Sequence, residues 1–338
     1  MKKTILFILY TAIAFTAGAQ QLLQERQYRA DGLPKFMASS VPDGQGNILF
    51  SGMTLQSSFY KSSFLLVKPD TDTLWTRKGP DELHNSTQGL LATPGGDFLF
   101  HATKKHPTSL STVGTLLHKF DRNGQPLWTQ VNYDNIGTGN APSATLNMAD
   151  KGFLLGGVFV FNGQSKGFAV ARTDSSGNIL WKKKYTQSML DDLIDMQYMA
   201  NGNIIAVGTS DIPTGPRHLR LMLLDQNGDS LKGTQLIVNC ITCYESMYSD
   251  LGSVTATADG GAIITAAIDT TINGIRVAYR GMLVKVGANL QLQWKYIHRT
   301  PVLPIETYIF SSVKELADHS ILVLGFKQQP TGSNGFQL

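Results

Sequence analysis

Two cysteines and a short run of aspartates have the spacing closest to that of a reactive site. Cys240 and Cys243 form a C-x-x-C pair. Such a pair can form a disulfide, cycle between redox states or supply half of a zinc site. A redox pair belongs at the start of a helix, and the sequence has no second cysteine pair to complete a zinc site. The sequence therefore predicts a disulfide between them, as expected for an exported chain.

The aspartates Asp191, Asp192 and Asp195 could chelate calcium, which takes several carboxylates. The EF-hand spacing and its glycine are missing, so we interpret them as part of a solvated connection. The sequence contains no G-x-S-x-G elbow, P-loop or H-E-x-x-H motif. We predict no catalytic residue, no metal site and no cofactor, although residues far apart in sequence could still meet in a site without leaving a motif.

A sequence repeat runs through the whole chain, and the cysteines and aspartates lie within it. A turn followed by a short apolar strand recurs about every 50 to 60 residues, as expected for a repeat architecture. The first apolar residues of its six copies are Ile48, Phe98, Phe153, Ile204, Ala262 and Ile321. All four tryptophans occupy one phase of the repeat: Trp75, Trp128, Trp181 and Trp294. We interpret them as structural residues that pack between neighbouring repeats.

Each repeat holds four strand-like segments, rich in β-branched and aromatic residues and separated by Asn-Gly, Asp-Gly or Gly-Gly turns. Helical periodicity is nowhere sustained. The sequence therefore predicts an all-β fold, a β-propeller of four-stranded blades. Two β-sandwich domains are the rival, but they do not explain the fixed tryptophan phase. Six blades are expected, the last closed by an N-terminal strand at 21–28; a seven-bladed protein truncated at Leu338 is the alternative.

The repeat resembles the secreted bacterial propeller repeats of the delta-60 and SBBP kind. The resemblance rests on the run from Lys119 through Asp121 to Trp128 and on Asp259-Gly260-Gly261, and it covers about residues 33 to 338. It implies a propeller of the kind common in large surface proteins. More remotely the repeat is similar to quinoprotein propellers, but the turn from Asp174 to Gly177 is one residue shorter than their docking motif.

Residues 1–19 have the pattern of a secretory signal peptide, which leaves residues 20–338 as the propeller domain. No cysteine stands directly after the predicted cleavage site, so no lipid anchor is expected. We therefore predict a secreted or periplasmic protein without a membrane span, and a monomer. The formal net charge of the 338 residues is only +4, which argues against a nucleic-acid partner. With 42% hydrophobic and 16% charged residues, the chain is neither disordered nor a coiled coil.

The segments between the second and third strands are expected to be long loops on one face, at 53–62, 101–114, 159–167, 209–218, 266–281 and 326–335. Basic residues dominate these segments, so the face is predicted to bind an anionic or hydroxyl-rich ligand. The candidate ligand-binding residues are Tyr60, Lys104, Lys105, His106, Arg217, His218, Arg276, Tyr279 and Arg280.

Because no catalytic constellation is evident, the sequence favours a non-enzymatic binding or scaffold module for a glycan or protein partner. The alternative is a propeller enzyme, either a quinoprotein-like oxidoreductase or a glycan-active hydrolase or lyase.

Overall fold

A computed structural model describes residues 5–7, 36–56, 59–70, 72–81, 83–108, 113–133, 141–159, 167–185, 191–210, 218–236, 252–272, 275–298 and 307–328. In these ranges the regular structure is entirely β-strand, from β1 (Ile5–Phe7) onward. None of the described residues forms a helix long and apolar enough to cross a membrane. The chain divides into two compact units, an N-terminal unit of residues 14–184 and a C-terminal unit of residues 1–13 with 185–338.

The N-terminal unit contains three four-stranded groups, which we call blades 1 to 3. Blade 1 comprises β2 (Phe36–Pro42), β3 (Ile48–Gln56), β4 (Phe59–Val67) and β5 (Thr73–Lys78). Blade 2 comprises β6 (Leu83–Ala92), β7 (Phe98–Lys105), β8 (Val113–Phe120) and β9 (Pro126–Asn132). Blade 3 comprises β10 (Ala141–Asn147), β11 (Phe153–Val158), β12 (Phe168–Thr173) and β13 (Ile179–Lys184).

The C-terminal unit contains blades 4 to 6. Blade 4 comprises β14 (Asp192–Tyr198), β15 (Ile204–Ser210), β16 (His218–Leu224) and β17 (Ser230–Leu236). Blade 5 comprises β18 (Val254–Ala256), β19 (Ala262–Ile272), β20 (Ile275–Val286) and β21 (Leu292–Ile297). Blade 6 comprises β22 (Thr307–Glu315) and β23 (Ile321–Gln328), and β1 pairs with β23 in the parallel direction. The strand expected to close this blade, at 21–28, lies outside the described residues.

Consecutive strands within each blade pair antiparallel in chain order. Blades 1 and 2 are additionally joined into one sheet, because Tyr60 of β4 pairs with Leu83 of β6. The core clusters consist of side chains from successive blades. Leu49 of β3 packs with Phe98 of β7, and Val207 of β15 packs with Val284 of β20. Within each unit, successive blades therefore bury apolar side chains in shared clusters.

A β-bulge recurs in the first strand of four blades and explains a recurring glycine in the second strand. In blade 3, the pairing between β10 and β11 shifts after Pro142, opposite Gly157. A Cβ atom at Gly157 would collide with the carbonyl oxygen of Ala141. The first-strand residues before the bulges pair with Gly52, Gly157, Gly208 and Gly325. Gly325 shows the same close approach, since a Cβ there would collide with the carbonyl oxygen of Ile309, so a side chain has no room at Gly157 or Gly325.

The turns between strands are fixed by aspartates and ion pairs. Oδ1 of Asp174 accepts hydrogen bonds from the backbone N–H groups of Ser176 and Asn178, each at 2.9 Å. These local bonds are those of an Asx turn. The next-to-last residue of the third strand pairs with an aspartate in the turn between the first two strands. These pairs are Lys119 with Asp97, Arg172 with Asp150 and Lys285 with Asp259.

The four tryptophans lie on fourth strands, β5, β9, β13 and β21. The indole N–H of Trp75 donates to the carbonyl oxygen of Arg122 at 2.7 Å, in the turn before β9. The ring lies against Gly124, where φ is +74° and a Cβ would be 3.1 Å from Cζ3 of Trp75. Trp128 lies against Gly177 of blade 3 in the same way. Each of these two rings thus contacts the turn of the following blade.

The prediction of long loops is wrong for two of the six segments. β3 continues to Gln56 and β4 begins at Phe59, so most of 53–62 is strand. In blade 5, β19 continues to Ile272 and β20 begins at Ile275, so residues 266–272 and 275–281 of that segment lie in paired strands. The difference arises because β-branched residues such as Thr270 and Thr271 are compatible with a strand as well as with a loop.

Candidate functional site

Two carboxylates lie on the same face of β14, the first strand of blade 4. Asp192 pairs with Thr209 and Asp195 pairs with Val207, and the register shifts between Leu193 and Asp195. In a regular strand, residues three apart point to opposite faces. The bulge inserts one residue, so the partners of the two aspartates are themselves only two residues apart on β15. Positions two apart on a strand are separated by about 7 Å. We call Asp192 and Asp195 the β14 carboxyl pair.

Asp195 is half-buried and is held by two backbone donors. Its Oδ2 accepts from the N–H of Val254 in β18 at 2.8 Å, and its Oδ1 accepts from the N–H of Met196 at 2.8 Å. Burial raises the pKa of Asp195 to about 6, although the two backbone hydrogen bonds act to lower it. A carboxyl group with this pKa carries a proton over part of the range near neutral pH, as a general acid requires.

Asp192 lies opposite a hydroxyl group that has no hydrogen-bond partner. The Oγ1 atom of Thr209 is buried without one, and Thr209 is 0% exposed. Buried hydroxyls normally find a protein or water partner. The face that carries the carboxyl pair therefore retains unused hydrogen-bonding capacity.

The neighbouring Asp191 has a different environment. It is buried, and its Oδ2 lies 3.8 Å from a guanidinium nitrogen of Arg220 in β16. Asp191 therefore makes an ion pair within blade 4. Separately, the described residues contain no group of three or more His, Cys, Asp or Glu side chains that could hold a metal ion.

A second group of candidate residues meets where β7 ends. Leu83 of β6 pairs with Tyr60 of β4 on one side and with Lys104 of β7 on the other. Tyr60 and Lys104 therefore lie on either side of Leu83. Lys104 and Lys105 are successive strand residues, so they project to opposite faces of β7. We call Tyr60, Lys104, Lys105, His106 and Tyr133 the β7-end cluster; all five are half-buried.

His106 and Tyr133 complete this cluster. Their rings lie 4.7 Å apart at 74°, an edge-to-face arrangement. The Tyr133 hydroxyl donates to the carbonyl oxygen of Lys105 at 3.1 Å. The backbone N–H of Thr108 donates to Nδ1 of His106 at 3.2 Å. Nδ1 is therefore an acceptor, and a neutral His106 carries its proton on Nε2.

The remaining candidates are placed separately. His218 is the buried first residue of β16 and pairs with Ser210. Arg280 lies on β20 opposite Ile268, and Arg276 and Tyr279 also belong to β20. Arg217, Cys240 and Cys243 lie outside the described residues, so the predicted disulfide stays a prediction. Of the candidates in described strands and turns, only His106 lies outside a strand.

Sequence reasoning missed Tyr133 and the pairing of Asp192 with Asp195. Tyr133 follows the last residue of β9 and gives no signal except its position after a predicted strand. The two aspartates were interpreted as part of a solvated connection, with calcium chelation as the alternative, but both belong to strand β14. The signal that could have joined them is Gly208, because a glycine at this position of the second strand marks the bulge in the first.

The sequence matches no protein family and no curated protein. Solved structures do resemble the chain. An α-L-arabinofuranosidase from Fusarium graminearum, in complex with an iminosugar inhibitor, matches with a TM-score of 0.52 at 12% identity, over 88% of this chain and 89% of that one. A protein of unknown function from Dyadobacter fermentans matches with a TM-score of 0.51 at 8% identity, over 86% and 94%.

A puromycin hydrolase mutant matches with a TM-score of 0.45 at 14% identity over 86% of this chain, but the chain spans only 42% of that protein. The two matches with TM-scores above 0.5, at 12% and 8% identity, show a shared fold and nothing finer. Together with the repeated antiparallel blades, they show that the chain is an all-β protein with the β-propeller fold.

Proposed function

We propose that the protein is a glycan-active propeller that hydrolyses glycosidic bonds. The carrying observation is the β14 carboxyl pair, because most glycoside hydrolases use two carboxyl groups. One member, Asp195, has its pKa raised to about 6 by burial. The arabinofuranosidase with the same fold lends support to a glycan substrate. These observations favour the enzyme alternative over a purely non-enzymatic binding module.

The two carboxyl groups have separate roles in this proposal. Protonated Asp195 donates its proton to the glycosidic oxygen as the bond from that oxygen to the anomeric carbon breaks. Ionised Asp192 takes a proton from the water that attacks the anomeric carbon. The products are two free sugar ends, and the proton on Asp192 returns to Asp195 through solvent.

The experiment measures hydrolysis by the full chain of nitrophenyl glycosides, including the α-L-arabinofuranoside, and of polymeric arabinan and galactan. Asp195→Asn and Asp192→Asn are each expected to reduce turnover at least 100-fold, the scale of general acid–base catalysis. Loss of activity could also follow from loosened packing between β14 and β18.

Gln197→Met is the matched control for that structural effect. Gln197 lies on the same strand and accepts a hydrogen bond from the N–H of Ala256, as Asp195 does from Val254, but it cannot ionise. The variant should keep activity within about threefold, because it removes only a neutral hydrogen bond. Equal losses in Gln197→Met and Asp195→Asn, or no hydrolysis of any substrate by the unaltered protein, would refute the proposal.

We further propose that the enzyme acts outside the cytoplasm, where polysaccharide substrates are accessible. The support is the signal-peptide pattern of residues 1–19. The intact mass of the protein from its host tests this. A mass that begins at Gln20 is expected, whereas retention of Met1 through Ala19 would contradict it.

A further inference from the structure

A buried threonine of β19 holds the backbone that binds the proposed acid. We propose that this residue, Thr265, is a positioning residue for Asp195. It fixes the peptide group between Ser253 and Val254, and the N–H of that group donates to the Asp195 carboxyl at 2.8 Å. The inference rests on the proposed hydrolysis for its effect on catalysis, whereas the contacts themselves lie within the C-terminal unit and exist with or without it.

A single peptide group connects Thr265 with Asp195. Its carbonyl oxygen, which belongs to Ser253, accepts from the backbone N–H of Thr265 at 2.9 Å. Its N–H, which belongs to Val254, donates to Oδ2 of Asp195. Because a peptide group is planar, the direction of its carbonyl group fixes the direction of its N–H. Whatever orients the Ser253 carbonyl group therefore also directs the donor to Asp195.

The Thr265 hydroxyl holds Ser253 from its other side. Oγ1 of Thr265 accepts from the backbone N–H of Ser253 at 2.8 Å and lies 3.4 Å from the Ser253 Oγ atom. The same hydroxyl lies 3.5 Å from the Ser253 carbonyl oxygen. Thr265 is buried, so bulk water does not compete for these bonds. Both peptide groups of Ser253 are thus tied to one residue of β19.

Blade 5 relies on this side chain because its first strand is short. β18 has three residues, and its pairing with β19 begins only at Val254. In blade 4, β14 pairs with β15 along its whole length. The fourth residue of β15 is Val207, which has no hydroxyl group, whereas the fourth residue of β19 is Thr265. The Thr265 side chain therefore supplies at Ser253 a bond that a longer first strand would not need.

Asp195 has one titratable neighbour on its own face of β14, which is Asp192. β15, which pairs with β14, and β18, which lies beside it, contain no titratable side chain. The ion pair of Asp191 with Arg220 belongs to the opposite face of blade 4. Burial raises the pKa of Asp195, and two backbone N–H groups, one of them from the held peptide group, act to lower it. Loosening that peptide group should therefore raise the pKa further.

The test compares Thr265→Val, which removes the hydroxyl and keeps the branched shape, with Thr265→Ser, which keeps the hydroxyl. NMR titration of the Asp195 carboxyl carbon in the full chain, assigned with Asp195→Asn, measures the pKa without any need for catalysis. The pKa should rise by about 0.5 in Thr265→Val, the scale of one weakened hydrogen bond. It should stay within about 0.2 of the unaltered value in Thr265→Ser. An unchanged pKa in Thr265→Val, or an equal rise in both variants, would overturn the proposal.

Hydrolysis provides a second readout that separates this inference from the proposed function. The pH at which turnover falls to half on the alkaline side should move upward in Thr265→Val by the same amount as the pKa. A purely structural loss would lower turnover at every pH without moving that midpoint. If the unaltered protein hydrolyses no glycoside, the proposed function fails and the NMR titration still decides whether Thr265 positions Asp195. If the pKa rises while the midpoint of turnover stays fixed, the catalytic part of the inference is wrong.

The amide proton of Val254 in the unaltered protein gives a measurement that needs no variant. Its chemical shift should change with pH at the same midpoint as the Asp195 carboxyl, because the hydrogen bond strengthens when its acceptor ionises. The Ser253 amide proton, which donates to a neutral hydroxyl, is the control and should change less. A Val254 amide proton that does not follow the titration of Asp195 would contradict the contact on which the inference depends.

Discussion

The Nζ atom of Lys285 lies 2.8 Å from Oδ1 of Asp259, and the two side chains differ sharply in their contact with solvent. The Lys285 side chain is 2% exposed and the Asp259 side chain is 50% exposed. Lys285 also donates to Oγ1 of Thr257 at 2.9 Å and to the carbonyl oxygen of Val286 at 3.2 Å. Burial acts to raise the pKa of Asp259, but the hydrogen bonds from Lys285 and Thr257 outweigh it and hold that pKa at about 2.

This asymmetry predicts unequal effects when either partner is removed. Asp259→Ala leaves a buried ammonium group without its counter-ion, so we expect a loss of about 3 kcal/mol in the free energy of unfolding. Lys285→Met leaves a carboxylate that water can reach, so the loss should be about 1 kcal/mol. Urea denaturation of each variant measures both values, and equal losses would contradict the burial argument. Asp97→Ala is the control, because the pair of Asp97 with Lys119 is more exposed on its cationic side.

Two buried histidines predict a loss of stability in acid. Burial lowers the pKa of His101 and of His118 to about 4. Below about pH 6.5 the unfolded chain takes up protons that the folded chain excludes, so the free energy of unfolding should fall between pH 6.5 and 4 and level off below. Each histidine contributes at most about 3 kcal/mol to this fall. Asp195 acts in the opposite direction, since its raised pKa favours the folded state as the pH falls through 6.

Denaturation of the unaltered protein and of His101→Gln with His118→Gln at pH 7.5, 5.5 and 4.5 measures the effect. The double variant should be less stable at pH 7.5, because the bonds of His101 to Thr145 and of His118 to Thr129 change. Its stability should nevertheless depend less on pH. A curve parallel to that of the unaltered protein would show that other groups cause the acid sensitivity.

The recurring bulge predicts that Gly157 is intolerant of any side chain. Gly157→Ala places a Cβ against the carbonyl oxygen of Ala141, which belongs to the backbone and cannot rotate away. We expect a loss of about 2 kcal/mol in the free energy of unfolding, the usual scale of forced overpacking. Gly233→Ala is the control, because a Cβ there would have its nearest neighbour at 3.8 Å, the Cε atom of Met222. Equal stability of the two variants would contradict the predicted collision at Gly157.

The proposed acid predicts the pH dependence of hydrolysis. Asp195 must be protonated to donate, and its pKa is raised to about 6. Turnover should therefore fall about tenfold for each pH unit above 6. Steady-state rates from pH 5 to 8, with buffer ionic strength held constant, measure this limb. A rate that stays level up to pH 8 would exclude Asp195 as the acid.

The sequence predicted the repeat well because its marks are local. The tryptophan phase places Trp75, Trp128, Trp181 and Trp294 on fourth strands, and the turn glycines fix where strands begin. The same local signals could not distinguish a loop from an extended hairpin. Residues 266–272 and 275–281 are strand because β19 and β20 pair with each other, a relationship that appears only in the folded register.

The candidate site was harder to predict for a related reason. Asp192 and Asp195 are three residues apart, and strict alternation assigns them to opposite faces of a strand. Only the bulge at β14 places them together. The β7-end cluster was predicted in part, because Lys104, Lys105 and His106 are neighbours in sequence. Tyr60 joins them through the pairing with Leu83, between strands of different blades.

The hydrogen bonds between the first strands of successive blades run one way, with the acceptor in the earlier blade and the donor in the later one. This polarity constrains how such repeats can be recombined. Asp195 and Gln197 of β14 accept from backbone N–H groups of β18, and Ser253, just before β18, accepts from the N–H of Val313 in β22. Blades 4 and 5 thus supply side-chain acceptors to the blade that follows them. A duplicated or transplanted blade fits behind a neighbour only if the neighbour has side-chain acceptors opposite the N–H groups of the new first strand. Homologous exchange of whole blades should therefore succeed in adjacent pairs more often than singly.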